Sequence, residues 1–312
     1  MRREGSPWQG LGVVVLKELS DHLASARMRV LEWLVVLTAL AAVYAAITQL
    51  RDVTAEDPFL FLRLFTTARE PLPSFVSFLG FLVPLMAIGL GFDAVNGEHS
   101  RRTLSRILSQ PIYRDALLFG KFVAGLITLS ISLIVLWLLV IGLGLLMLGV
   151  PPGGGEMGRA LVFLAVTIAY AGVWLALAML FSVTFRSPAT AALVTLGLWL
   201  FLSVIWPSLV PAITQALVPT DDQATLVTTA QMLARLSPST LFGETVLALL
   251  HPTTRTLGPV YISQLEGAVM GAPLPLSQSL LVAWPQIVGL VAASILLFVG
   301  SYVAFQRQEV RA

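Results

Sequence analysis

The residue types that carry catalysis and metal binding are sparse in this sequence of 312 residues. It has no cysteine and three histidines, His22, His99 and His251, which stand far apart. No HExxH motif, histidine pair or Ser-His-Asp spacing occurs, and Glu98-His99 alone is typical of a solvated helix start. The sequence therefore predicts no catalytic residue, no metal site and no cofactor in this chain, which is not expected to be an enzyme.

A glycine-rich stretch, Pro151-Pro152-Gly153-Gly154-Gly155, could be mistaken for a phosphate-binding loop. Such a loop would continue into Gly-Lys-Ser or Gly-Lys-Thr, which does not follow here. We interpret the stretch as a turn between two apolar runs. The sequence contains no Walker motif.

A strongly charged interval from Phe92 to Lys121 separates two long apolar runs. Its basic residues are Arg101, Arg102, Arg106, Arg114 and Lys121. Each of these side chains would cost roughly 2.5–3.5 kcal/mol at the centre of a bilayer. We therefore expect the interval to lie in water.

Within this interval the residue spacing predicts a short amphipathic helix. One side carries the apolar residues Leu104, Ile107 and Leu108, and the other carries Arg101, Ser105, Arg106 and Ser109. The Asn96 side chain is expected to cap the first turn, where Glu98 complements the helix dipole, and Pro111 is expected to end the helix. Such a helix lies either on lipid headgroups or in a groove of another protein.

The composition predicts an all-α membrane protein, because 57% of the residues are hydrophobic, 12% are charged and the mean hydropathy is +0.87. Crossing the hydrocarbon core takes roughly 20 helical residues. Apolar runs of that length occur at about 31–50, 74–92, 118–148, 160–185, 189–212 and 284–305. We therefore predict one transmembrane domain over residues 1–312 with six spans, the third of which begins in water near Leu117.

The distribution of basic residues predicts the orientation. About two thirds of the 19 Lys and Arg residues fall on the side that both termini share. By the positive-inside rule this side is the cytoplasm, so the chain is expected in the plasma (inner) membrane with both termini cytoplasmic. The formal net charge of +2 is too small to favour nucleic acid as a partner.

The N-terminal residues 1–29 precede the first span and are expected to form an amphipathic helix that lies along the membrane. Its apolar side is Val13, Leu16, Leu19 and Leu23, with Lys17, Glu18, Asp21 and His22 opposite. This pattern is typical of an interfacial helix.

The segment 213–283 between spans five and six is a long extracytoplasmic insertion in this orientation. Helix starts are predicted at Asp221-Asp222 and at Ser237-Pro238, where proline suits the first helical position. A third short helix is predicted from Tyr261, Leu265 and Val269. We expect these helices to cover the outer mouth of the protein.

Long parts of the spans contain no ionisable residue. No Asp, Glu, Lys, Arg or His occurs in 33–49, 74–92, 122–152, 160–185, 187–220 or 267–306. Ion-driven transporters and ion-selective channels normally keep such groups at membrane depth. Their absence argues against both classes, and the energy for any transport would come from outside this chain.

The charged interval resembles the signature between spans two and three of ABC-2 type transporter permeases. The matching residues are Glu98-x3-Arg102-Thr103-Leu104-x2-Ile107-Leu108-Ser109-x-Pro111-Ile112-x-Arg114, followed by Gly120-Lys121. The family usually has glycine where Arg102 stands. The six-span layout, the N-terminal helix and the run from Leu236 to Phe242 are similar to the NosY-like subgroup of these permeases, the multicopper-enzyme-maturation type.

The resemblance implies half of a transporter. Two permease copies, here a homodimer, would pair in the membrane, and each would seat residues 93–117 as a coupling region in a groove of a separate ABC ATP-binding subunit, which holds ATP and Mg. The residues that this implies for coupling are Glu98, Arg101, Arg102, Thr103, Leu104, Arg106, Ile107, Leu108, Ser109, Pro111, Arg114 and Lys121.

The sequence leaves the outcome of coupling open. The uncharged spans suit export of a lipid-like, peptide or hydrophobic cargo, and they equally suit mechanical work on an extracytoplasmic partner protein. A membrane scaffold that transports nothing is the alternative from a different class, and an intramembrane enzyme is a distant third. Besides these proteins, membrane lipid is the expected partner of the chain.

Overall fold

The computed structural model describes residues 10–50, 59–70, 72–100, 114–149, 151–219, 222–257 and 273–307. In these ranges the chain forms helices and no strand, apart from an isolated bridge between Arg69 and Leu72. Six segments are long and apolar enough to cross a membrane: Ala26–Leu50, Phe75–Ser100, Arg114–Leu148, Gly154–Thr184, Pro188–Leu217 and Leu276–Arg307. The predicted all-α fold with six spans is confirmed.

The described helices follow one another in this order along the chain. They are α1 Leu11–Ala24, α2 Ala26–Leu50, α3 Leu60–Thr66, α4 Phe75–Gly91, α5 Asn96–Ser100, α6 Arg114–Leu148, α7 Gly154–Thr184, α8 Pro188–Leu200, a π-helical turn Phe201–Ile205, α9 Trp206–Leu217, α10 Gln223–Ala234, α11 Pro238–Leu250 and α12 Leu276–Arg307. Spans one to six are therefore α2, α4 with α5, α6, α7, α8 with α9, and α12.

Helix α7 is the centre of the bundle and packs against α4, α6, α11 and α12. Small residues let its neighbours come close, as small residues commonly do between membrane helices. A Cβ on Gly91 of α4 would lie 2.8 Å from the Cβ of Ala178, and a Cβ on Gly172 would lie 3.1 Å from Ser294 Oγ of α12. These contacts fix the positions of α4 and α12 relative to α7.

Helix α11 is part of the bundle, and that the insertion helices cover the outer mouth stays a prediction. The Phe242 ring stacks on Tyr170, near the middle of α7, with centroids 4.4 Å apart. Tyr170 Oη donates to Gly80 O at 3.0 Å and contacts Ser239 Oγ at 2.9 Å. The start of α11 therefore reaches back into the bundle, and the helix runs outward from there.

The helix starts predicted in the insertion are present. Asp222 Oδ1 accepts a hydrogen bond from Thr225 N at 3.0 Å, and Pro238 occupies the first turn of α11. Ser237 precedes Pro238, but its side chain makes no capping bond. The third predicted helix, near residues 261–269, lies outside the described residues.

Two turns differ in detail from the sequence interpretation. The helix α7 begins at Gly154, so two of the three consecutive glycines belong to its first turn, and Glu156 Oε2 accepts from Gly153 N at 2.8 Å. Span five widens into the π-helical turn just before Pro207, whose ring would otherwise clash with the carbonyl four residues earlier.

Candidate functional site

The described part of the coupling region is its two ends. Glu98 lies in α5, Arg114 is the first residue of α6, and Lys121 lies two turns further along α6. The other residues assigned to coupling lie outside the described residues: Arg101, Arg102, Thr103, Leu104, Arg106, Ile107, Leu108, Ser109 and Pro111. The candidate site is therefore the polar cluster that holds these two ends, at what we call the charged end of the bundle.

Lys121 lies at the centre of this cluster. Its Nζ donates to Glu18 Oε1 at 2.9 Å and to Glu98 Oε1 at 2.7 Å. The side chains of Lys121, Glu18 and Glu98 are 4%, 9% and 14% exposed. The expectation that the whole charged interval lies in water is therefore wrong for Lys121, because two carboxylates compensate its charge inside the protein.

The contacts of α1 with α6 bring Glu18 to Lys121. Val14 packs on Gly120, where a Cβ would lie 2.7 Å from Val14 Cγ1, and His22 Nδ1 lies 3.3 Å from Thr128 Oγ1. Residues 14, 18 and 22 of α1 thus contact residues 120, 121 and 128 of α6 in the same order. The two helices therefore lie side by side and run in the same direction.

The exposed side of α1 is apolar. Val13 and Leu16 are each 69% exposed and Leu23 is 43% exposed, as an interfacial helix requires. The polar side of α1 is partly covered by α6, because Glu18 is buried and His22 contacts Thr128. That the apolar side lies along the membrane stays a prediction.

Asn96 begins α5, but its side chain does not cap the helix as predicted. The capping oxygen is Ser182 Oγ of α7, which accepts from Val95 N at 3.0 Å and from Asn96 N at 3.3 Å. The Asn96 side chain donates to Phe185 O at 3.1 Å and accepts from Ser182 Oγ at 3.2 Å. These bonds attach the start of the coupling region to the end of α7.

Two further acidic residues hold the flanks. Arg27 of α2 pairs with Asp93 through two hydrogen bonds of 2.9 and 3.2 Å and lies over the Phe92 ring. Asp115, next to Arg114, accepts hydrogen bonds from Tyr302 and Gln306 of α12. Sequence reasoning did not assign Glu18, Asp93 and Asp115 to the site. The available signal for Asp93 and Asp115 was an acidic residue at the edge of an apolar run, and for Glu18 it was the polar side of the N-terminal helix.

The cluster shifts the protonation equilibria of α1. Burial alone would raise the pKa of Glu18, but the Lys121 charge and the hydrogen bonds from Lys17 and Lys121 hold that pKa below its ordinary value. Burial lowers the pKa of His22. At neutral pH the favoured state is therefore an ionised Glu18 beside a neutral His22.

An all-α bundle of six spans, with a charged interval between spans two and three, is the architecture of a transport permease. Residues 13–310 match the family model described as ABC-2 family transporter protein, and the chain belongs to that family. The family makes it a membrane-spanning permease subunit, without the ATPase site, and implies an ATP-binding partner subunit.

Two curated relatives place the chain more closely. It is 32% identical over 195 residues to the probable ABC transporter permease protein NosY of Stutzerimonas stutzeri, covering 62% of this chain and 66% of that protein. It is 28% identical over 222 residues to the protein of the same name from Pseudomonas aeruginosa, covering 69% of this chain and 72% of that protein. The resemblance to NosY-like ABC-2 permeases is thereby confirmed.

Proposed function

We propose that this permease transmits ATP-driven movement of a separate ATP-binding subunit to span three through residues 93–117. The observation that carries the proposal is the contact of Lys121 with Glu98. Glu98 lies at the entry of the coupling region, and Lys121 lies just beyond its exit. A displacement of the region would therefore move α6 directly, and α1 with it through Glu18, instead of deforming a loose loop.

The surface for the ATP-binding subunit would be the amphipathic helix predicted within 101–111. Leu104, Ile107 and Leu108 would enter an apolar groove on the partner, as helices commonly do in such interfaces. Arg101, Arg102 and Arg106 would face acidic groups on its rim, and these would offset the unfavourable position of arginines in the early turns of a helix. ATP and Mg would remain on the partner.

The distribution of basic residues supports a cytoplasmic location for this surface and for both termini. In the plasma (inner) membrane, two copies of the chain would form the permease. The uncharged spans are compatible with export of a hydrophobic cargo and with mechanical work on an extracytoplasmic protein. Cargo-stimulated ATP hydrolysis would identify export, and co-purification of an outer protein without such stimulation would identify mechanical work.

The test of docking uses charge placed on one or the other side of the predicted helix. Leu104→Glu with Leu108→Glu should abolish co-purification of the ATP-binding subunit while membrane insertion persists. Ser105→Lys adds charge to the opposite side, of the sign that acidic groups on the partner attract, and should leave co-purification intact. If this control also abolishes association, or the double substitution does not, the apolar side is not the docking surface.

A further inference from the structure

An open cavity of about 190 Å³ lies near the charged end of the bundle, between α2, α4 and α6. Its wall is apolar over most of its extent, including Val35, Met86 and Val135. Two polar side chains complete the wall, Glu32 of α2 and Ser132 of α6. This cavity lies apart from the Lys121 cluster and takes no part in the proposed coupling.

Glu32 is an acidic side chain inside a membrane span. It lies less than two turns beyond Arg27, whose pair with Asp93 marks the charged end. Its Oε1 accepts a hydrogen bond from Ser132 Oγ at 2.9 Å. Glu18, Glu98 and Asp93 all have a basic partner, whereas no salt bridge involves Glu32 in the part of the chain that the structure describes.

A carboxylate at this depth is costly unless a cation or several hydrogen-bond donors meet it. The Ser132 hydroxyl supplies one donor, and a carboxylate can accept about four hydrogen bonds. The cavity therefore has an apolar wall that suits hydrocarbon and one acidic side chain that suits a cation. An amphiphile with a positively charged headgroup is complementary to both.

We propose that this cavity binds the headgroup of an ethanolamine phospholipid from the adjoining leaflet. The cavity is reached from lipid, because Trp33 beside Glu32 is 66% exposed and Val135 in its wall is 54% exposed. A primary ammonium group has three N–H donors for Glu32 and Ser132. A choline headgroup has the same charge but no N–H, and an anionic headgroup would be repelled by Glu32.

The size of the cavity agrees with a headgroup and the start of a chain, but not with a whole lipid. Its volume corresponds to roughly six waters at about 30 Å³ each. The acyl chains would lie outside it, along the exposed apolar side chains of α2 and α6. Glu32 would then select the headgroup, while the chains would be held by non-specific contacts.

The experiment compares three phospholipids with identical chains that differ in N-methylation: ethanolamine, dimethylethanolamine and choline headgroups. The purified full-length protein is exchanged into each lipid, and retained lipid is counted by native mass spectrometry. We expect the wild type to retain the ethanolamine lipid at least roughly tenfold better than the choline lipid, which is the lower end of the range for a charge-assisted hydrogen bond. The dimethyl lipid should fall between the two.

Matched variants locate the preference. Glu32→Gln keeps the side-chain size and should reduce the preference to about one, and Ser132→Ala should weaken it. Asp21→Asn removes an exposed carboxylate from α1 and should leave it unchanged. Val135→Trp fills the cavity and should lower the retention of all three lipids.

Several results would overturn the proposal. These are equal retention of the ethanolamine and choline lipids by the wild type, a preference that survives Glu32→Gln, or undiminished retention in Val135→Trp. A second copy of the chain in the cavity would appear as loss of the dimer in Val135→Trp without any headgroup preference, which also contradicts it. Thermal unfolding of each variant identifies misfolding, and Ser132→Ala remains a test if Glu32→Gln fails to fold.

Discussion

Replacing Lys121 with methionine should release α1 and the entry of the coupling region from α6. Methionine fills similar space but leaves the buried carboxylates of Glu18 and Glu98 without the cation they share. Removing one partner of a buried ion pair typically costs about 3–5 kcal/mol. The Lys121 side chain is 4% exposed, so little solvent screening reduces this cost. We therefore expect a loss of stability in the upper part of that range. Only protonation of the two carboxylates would make the loss smaller.

The absence of cysteine in the sequence provides a clean assay. Val14 lies on the buried side of α1 and is 5% exposed, so Val14→Cys reports the opening of α1 through the rate of maleimide labelling. A loss of 3–5 kcal/mol corresponds to roughly a hundredfold or greater increase in the open population. Lys121→Met should raise the labelling rate by at least that order under conditions in which α1 recloses faster than the maleimide reacts.

Lys17 provides a matched control. It also lies 2.9 Å from Glu18 Oε1, but its side chain is 55% exposed. Exposed pairs are worth about 1 kcal/mol or less, so Lys17→Met should change the labelling rate by a small factor only. Adding Glu18→Gln and Glu98→Gln to Lys121→Met should restore much of the protection, because a neutral cluster has no unpaired charge.

The pH dependence of labelling checks the sign of the electrostatic effect of Lys121. In the wild type the pKa of Glu18 is lowered, so its contribution to stability is present above its unfolded pKa and is lost as the pH falls through the folded pKa. In Lys121→Met the cation that lowers this pKa is gone, and acid should slow labelling by neutralising the carboxylates. Because acid also protonates the reacting thiolate, each rate is divided by that of the same cysteine in the unfolded chain. If Lys121→Met and Lys17→Met label alike, or acid speeds this relative labelling in Lys121→Met, the reasoning about this cluster is wrong.

Four further substitutions test other parts of the structure. Burial lowers the pKa of His22, so the unfolded state binds its proton more readily and stability should fall as the pH drops below about 6.5. His22→Gln should make the melting temperature less dependent on pH over that range. An unchanged pH dependence would exclude His22 as the cause. Tyr170→Phe keeps the ring on Phe242 but removes the hydroxyl, and it should lower the free energy of unfolding by about 1–2 kcal/mol. Phe242→Ala should lower it by about 3–5 kcal/mol. The opposite order in thermal unfolding would contradict the packing of α11. Asp93→Asn breaks a half-exposed pair with Arg27 and should lower the stability by about 1 kcal/mol or less in the same assay; a loss as large as that of Phe242→Ala would show that the pair is more buried than its geometry indicates.

The spans could be predicted from the sequence because the bilayer imposes their length and apolarity. Helix α11 could not be placed, since Pro238–Leu250 is too short to span and its apolar pattern is the same for a helix in the bundle and a helix on its surface. Its position depends on Phe242 meeting Tyr170, a contact between distant segments. Only the helix start at Pro238 was a local signal, and that start was predicted.

The difference between local signals and contacts of distant segments also explains the wrong prediction for Lys121. The free-energy cost of placing a lysine in lipid is correct, but the prediction considered only lipid and water as surroundings of the side chain. The partners that make a third choice available, Glu18 and Glu98, are 103 and 23 residues away along the chain. One sequence does not reveal which distant carboxylates will meet, so the burial of this lysine required the structure.

The contacts around the coupling region determine where a push on it would go. Its entry is bonded to α7 through Ser182 and to α6 through Lys121, and the preceding Asp93 is bonded to α2. The pair with Arg27 is half-exposed and worth little, whereas the contact with Lys121 is buried and costly to break. Under load the exposed pair would therefore yield first, and the movement would pass to α6 and α1 before it reached α2. This order of yielding makes span three respond to the ATP-binding subunit before span one in the mechanism that we propose.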